Sequence, residues 1–216
     1  MTTEPELRAA AGFVEPAVKA EFPGLRLVWL TAPARLRRTT QAVERRLQAL
    51  SNRYWGASVV AMRTQPIPHA YRVFFRQIGL DPDITRIPSE QAAVARLVHG
   101  RFVSHDAIRD ALLLSVLETG VPVWALDADR VDAGGLGIRT TKAGDTVGSD
   151  RPRAAGRLVV ADASRVHAVL FGDVVPAHRP GAETTRVALY AIGVEGVPML
   201  HLEEALWVSL EALEGA

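Results

Sequence analysis

The chain has no cysteine among its 216 residues, which excludes disulfides, thiolate metal sites, iron–sulfur ligation and cysteine nucleophiles together. Aromatic residues are sparse at 6%. The longest apolar stretch, Ala111 to Leu126, is broken by Glu118, too short and too charged for a membrane span. The first residues, M-T-T-E-P-E-L-R, carry acids and no basic segment followed by an apolar one, so nothing there reads as a secretion signal and a cytoplasmic location is expected. Glycine-rich phosphate loops, a G-x-S-x-G elbow and H-E-x-x-H spacing are all missing, and no metal or cofactor is expected. Asp127, Asp129 and Asp132 open like a calcium loop but lack its glycine and closing glutamate, so they read as a turn. Gly134, Gly135 and Gly137 read as a second turn.

What is present is an ordinary globular composition, 48% hydrophobic and 23% charged, which predicts one compact domain over 1–216. Charge is unevenly placed: residues 1–108 sum to +6 and residues 109–216 to −5. Most of the positive excess lies between Arg35 and Arg63. There Leu36, Val43, Leu47, Leu50 and Tyr54 form an apolar stripe, predicting a helix that starts near Leu36 and presents Arg37, Arg38, Arg45 and Arg46 to solvent or to phosphates. A buried strand is predicted before it, over 24–32.

Pro66 and Pro68 interrupt the next segment, and a short helix over Tyr71 to Ile78 ends at Gly79. Further helices are predicted from Ser89, read as a cap, to Gly100, and from Asp106 to Glu118, closed by Gly120. Beyond Gly120 the pattern turns to short strands: Val121 to Leu126, Gly137 to Thr141, Arg157 to Ala161, Val166 to Phe171 and Arg186 to Ile192. A last helix runs from Leu202 to Leu213 within a terminal segment 200–216. Helices before strands predict an α+β fold.

Several segments carry a resemblance. G-L-D-P-D-I-T-R-I-P-S-E (Gly79 to Glu90) has an R-x-P-S stretch, and R-L-V-H-G-R-F-V (Arg96 to Val103) follows an R-L-L-x-x-G pattern. I-R-D-A-L-L-L-S-V-L-E-T-G-V-P-V-W-A-L-D (Ile108 to Asp127) matches V-V-D-x-T-N-Y-V-x-x-x-x-G-x-P-L-H-A-F-D at Asp110, Gly120, Pro122, Ala125 and Asp127. I-R-T-T-K-A-G-D (Ile138 to Asp145) follows V-R-x-A-x-x-G-E, and Gly172, Thr184 and Thr185 suggest a glycine turn leading to a last strand. These patterns resemble the B3/B4 domain of the beta subunit of bacterial phenylalanyl-tRNA synthetase and its free-standing relatives. The core resemblance spans 70–192, with 1–69 adding an amino-terminal strand and basic helix.

The resemblance implies a three-layer fold, an unusual β-sandwich flanked by helices, and a domain facing tRNA. In the synthetase the domain hydrolyses the ester of mischarged tRNA. The matching pocket here comprises Asp110, Leu112, Leu113, Trp124, Gly172, Thr184 and Thr185. Leu112 and Leu113 stand where the family has T-N, Trp124 where it has histidine, and Tyr190 or Ala191 where it has glutamate. An apolar lining lacks a partner for a phenolic hydroxyl, so hydrolysis of tyrosine esters is expected to be slow unless His178, His105 or Tyr190 has taken over the chemistry. His178 leads these candidates because Arg179 beside it can hold an anion. The expected function is tRNA binding, with trans-editing of mischarged tRNA open. The alternatives are a non-catalytic module holding a small amino-acid-like ligand at Trp124, and an interaction role.

Overall fold

A computed structural model describes residues 9–132, 134–146 and 156–215; the residues read for a leader, 1–8, lie outside these. Within the described residues lie seven α-helices and two four-stranded sheets, an α+β fold. The first sheet contains β1 (Ala10–Ala11), β3 (Arg26–Pro33), β8 (Arg186–Gly193) and β4 (Val123–Asp127), in the order β1-β3-β8-β4. All its pairings are antiparallel. The second contains β2 (Phe13–Val14), β5 (Gly137–Thr140), β6 (Leu158–Ala161) and β7 (Val166–Val169), in the order β2-β5-β6-β7. Only the β2–β5 pair is parallel.

β8 is one of the two inner strands of its sheet, and seven of its eight residues, Val187 to Gly193, are buried. Such a continuous apolar run suits a strand covered on both faces. One face is covered by α6 (Ala107–Thr119) and α7 (Met199–Glu214), which are tied together where Ser115 Oγ donates to the Ala205 carbonyl at 2.8 Å. On the other face the register aligns Trp29, Tyr190 and Trp124 side by side across β3, β8 and β4. Trp124 and Tyr190 stack, centroids 5.5 Å apart and planes 12° apart. Trp29 leaves no room opposite: a Cβ on Gly135 would lie 2.6 Å from its ring, and Gly135 also has φ +81°, so glycine is needed there on both counts.

The helices differ from the sequence expectation in ways that tertiary bonds explain. α1 (Pro16–Glu21) and α3 (Gly56–Met62) are additional short helices. α2 (Gln41–Ser51) starts at Gln41 and not near Leu36, so Arg37 and Arg38 precede the helix. The segment before it is held open: Thr39 Oγ donates to the Asp110 carboxyl, and the Arg37 carbonyl accepts from Ala107 N at 2.9 Å. Pro66 and Pro68 do not interrupt a helix but lie in the first turn of α4 (Pro66–Gln77), where a missing N–H has no intrahelical partner to lose. In α5 (Pro88–His99) the cap position is Ile87. Ser89 lies within the helix, and its buried Oγ has no hydrogen-bond partner among the described residues. The buried Arg72 of α4 bridges Glu90 of α5 at 2.9 Å and Asp83 at 2.7 Å, fixing the intervening loop.

The best-formed helix is α6. Asp106 caps it through Oδ1, accepting from Ile108 N at 3.1 Å and Arg109 N at 3.0 Å, and Gly120 ends it at φ +75°. In its first turn Asp110 is fully buried. Its carboxyl oxygens accept from Thr39 Oγ, from Ser104 Oγ at 2.5 Å and from His105 N at 3.0 Å. Truncating this group strands three donors, so Asp110→Ala is expected to destabilise the fold by about 3 kcal/mol. In thermal unfolding this appears as a Tm lower by roughly 6–12 °C; an unchanged Tm would remove Asp110 from the structural role given to it.

Candidate functional site

A cavity of about 590 Å³ opens between the start of α6, strand β4 and the loop that follows β7. The cap at Asp106 sets the helix phase, placing Arg109 and Leu112 three residues apart on one face. Leu112 and Trp124 give the cavity apolar walls, Leu36 closes it from the segment before α2, and Gly172, Asp173, Val174, Arg179 and Pro180 form the facing loop. Arg109 is exposed at its mouth and pairs with Asp106 at 3.3 Å. Arg179 donates through Nε to the Val174 carbonyl at 3.0 Å, which steadies its guanidinium beside the opening.

Gly172 is shared with a larger cavity of about 680 Å³, lined also by Phe22, Phe75, Arg86, Arg157 and Phe171. Phe171 has φ +56°, a conformation that a bulky L-residue adopts only under constraint. Its ring makes edge or tilted contacts with Trp124, Tyr71, Phe74 and Phe75, at centroid distances of 5.4 to 5.8 Å. Packing on four rings is the physical reason that the strained turn persists.

Of the residues expected in a pocket, Leu112, Trp124 and Gly172 line the 590 Å³ cavity, and so does His105. Leu113 packs against the core instead. Asp110 points into the hydrogen-bonded knot described above. Thr184 is buried, donating to Asp127 Oδ2 at 2.8 Å, while Thr185 is exposed and its carbonyl accepts from Ala34 N at 3.0 Å. Tyr190 lies fully buried beneath Trp124; burial pushes its phenol above the usual range, so it is a protonated packing group near neutrality.

The four arginines read as one basic face are engaged differently. Arg46 forms a bidentate pair with Glu118, both bonds 2.6 Å, and lies 3.6 Å from Glu211. Arg45 bonds Gln41 at 2.5 Å, and Arg37 donates to the Leu213 carbonyl at 3.0 Å. Arg37 and Arg38 are exposed and adjoin Leu36, a cavity wall residue.

Sequence pattern does not single out Asp162, and His167 is one histidine among six. In the structure His167 Nε2 lies 2.7 Å from Asp162 Oδ2, and His167 Nδ1 lies 3.0 Å from His178 Nδ1. Asp162 and His167 are buried and His178 is half-buried. Asp162 Oδ1 also accepts from Ser164 N at 2.9 Å and Arg165 N at 2.8 Å, and Oδ2 accepts from Asp132 N at 3.0 Å. Burial alone would raise this carboxyl, but the backbone N–H groups and the His167 ring outweigh it and hold it well below the usual carboxylate range. Burial lowers both imidazoles below their ordinary value. The available signals were a D-x-S turn after β6 and a histidine flanked by apolar residues at an inward strand position. Among the described residues no group of three or more histidines and acids is arranged to hold a metal ion, and no helix is long and apolar enough to cross a membrane.

A comparison with models of known protein families finds no match for this chain, and a comparison with curated proteins finds none either.

Folded His167 and His178 bind protons less readily than an unfolded histidine with a pKa of 6.5. Below that pH the unfolded chain therefore takes up protons that the folded chain refuses, and stability falls. The lowered Asp162 adds stability that is present above the unfolded value of 3.8 and is lost as pH falls further. Urea unfolding at successive pH values is expected to show stability declining below pH 6.5, with a shallower decline in His167→Gln; equal slopes would contradict the assignment.

Proposed function

We propose that the protein is B3/B4-like and receives the aminoacylated 3′ end of a tRNA at the Trp124 cavity. The observation that carries this reading is the meeting of Leu112, Trp124, Ala125 and Gly172, residues from the segments that resemble that family, around a cavity of about 590 Å³ with arginines at its mouth. The volume falls within the range of sites that enclose small organic groups, about 300–1,000 Å³. Leu112 and Trp124 provide an apolar seat for an amino-acid side chain. Arg109 and Arg179 flank it, and Arg37 and Arg38 extend the positive charge along the neighbouring segment, as a polyanion ending in an apolar ester requires.

An apolar seat discriminates weakly between a side chain and its hydroxylated analogue, so tyrosine and phenylalanine esters are bound with similar affinity. A second reading, a small free amino-acid-like ligand without tRNA, is favoured by one observation: the Arg46 guanidinium is already committed to Glu118 and Glu211.

Filter binding with a panel of correctly and incorrectly charged tRNAs separates the two. Under the tRNA reading, binding at low salt weakens by about 0.7–0.9 logarithmic units per logarithmic unit of salt for each phosphate contacted. Replacing Arg37, Arg38, Arg109 and Arg179 by Ala reduces both affinity and salt slope, whereas Arg46→Ala affects mainly stability. No retention of tRNA at low salt, with heat released on titrating a free amino acid, would establish the small-ligand reading instead.

A further inference from the structure

The larger cavity, about 680 Å³, is assembled chiefly from the end of α1, the end of α4 with the loop that follows it, the start of β6 and the turn after β7. Its apolar lining includes Phe22, Phe75, Ile78, Leu80, Leu158 and Phe171. Three of these side chains are phenyl rings held in place by other rings. Phe75 and Phe171 lie 5.4 Å apart at 58°, and Phe22 meets Phe74 edge-on at 5.4 Å. Rings fixed at different tilts meet a guest ring by edge or by face, the two arrangements that aromatic pairs prefer.

Two arginines line the same cavity, Arg86 from the loop between α4 and α5 and Arg157 from the start of β6. The acids of the first loop are engaged elsewhere: Asp83 and Glu90 pair with the buried Arg72, and Asp81 Oδ1 accepts from Asp83 N at 2.9 Å. These bonds brace the loop and leave Arg86 exposed, its guanidinium without a partner among the described residues. Arg157 is in the same state, although its backbone is clamped. Thr141 Oγ1 accepts from Arg157 N at 3.0 Å, and Thr141 N donates to the Arg157 carbonyl at 2.8 Å. Glu21 is the one acid on the lining among the described residues, and it pairs with neither arginine. The wall thus sets two positive charges against one negative charge beside a set of rings.

This combination selects among anions. Phosphate sites are built on backbone N–H groups at a helix start or in a nest, whereas the helix that follows Arg86 opens with Pro88, which has no N–H. Glu21 also opposes a second negative charge on the guest. A carboxylate carries one charge and matches the planar fork of a guanidinium. We propose that this second cavity binds a monoanionic aromatic carboxylate, its ring among Phe22, Phe75 and Phe171 and its carboxylate on Arg86 and Arg157. The volume lies within the range of sites that enclose small organic ligands, about 300–1,000 Å³. The proposal does not rest on tRNA or on an occupant of the Trp124 cavity.

Calorimetric titration of the full chain with 2-naphthoate, 2-naphthamide and phenyl phosphate tests it. Saturable binding of one equivalent of 2-naphthoate is expected. The amide keeps the rings and loses the charge, and is expected to bind at least about tenfold more weakly, as loss of a hydrogen bond to a charged group implies. Arg86→Gln and Arg157→Gln are each expected to weaken 2-naphthoate by about tenfold or more for the same reason, with Tm unchanged because neither guanidinium bonds the described structure. Phe22→Leu keeps the apolar volume and removes a ring, for an expected loss of about two- to tenfold. Arg53→Gln, at an exposed arginine outside the lining, is the control expected to bind as wild type does. No heat at millimolar 2-naphthoate, equal affinity for the amide, tighter binding of phenyl phosphate, or unchanged affinity in both arginine variants overturns the proposal. Weakening in Arg179→Gln with Arg86→Gln unaffected puts the carboxylate in the Trp124 cavity and overturns it as well. Retention of tRNA enters none of these measurements, so the two sites stand or fall separately.

Discussion

The carboxyl group of Asp110 is the point from which the shape of the cavity follows. It is buried without an ion-pair partner among the described residues, and is satisfied by hydroxyl and backbone donors from two other stretches of chain. By holding Thr39 it keeps the segment containing Leu36, Arg37 and Arg38 out of α2, and by holding Ser104 and His105 it fixes the entry to α6. Both stretches then border the same opening. A buried polar group left unpaired costs more than a made bond returns, so these segments are tied to Asp110 more firmly than their own propensities would tie them.

The second constraint is the row Trp29, Tyr190 and Trp124 on β3, β8 and β4. Three large rings on one face of a sheet demand a close cover. That cover comes from Gly135, which has no side chain to place there, and from Phe171, whose ring packs on Trp124 with centroids 5.8 Å apart. Trp124 is thereby both part of the aromatic layer and a wall of the cavity. Its size at that position is a packing requirement as much as a means of recognition.

Elements with local signals were legible in the sequence. α6 carries its own cap at Asp106 and its own stop at Gly120, and β8 is a continuous apolar run, so both were placed within a residue or two. β1 and β2 were not, because two-residue strands have no periodicity and exist only through their pairing with β3 and β5. The start of α2 was misplaced because the competing bonds come from Asp110 and Ala107, about 70 residues away. At the candidate site, Leu112, Trp124 and Gly172 could be grouped from sequence patterns. The link from Asp162 through His167 to His178 could not, since burial and ring orientation decide it and neither is written in residue spacing.

The inner position of β8 beside β3 also bears on how the protein is made. About 150 residues separate Pro33, the end of β3, from Arg186, the start of β8. At a synthesis rate of roughly 5–20 residues per second, β3 waits on the order of ten to thirty seconds for its partner to leave the ribosome. During that interval Leu27, Val28, Trp29 and Leu30 have no sheet neighbour on the side that β8 will occupy. The exposure of this segment to wrong partners is therefore set by the pace of translation and not by the speed of folding.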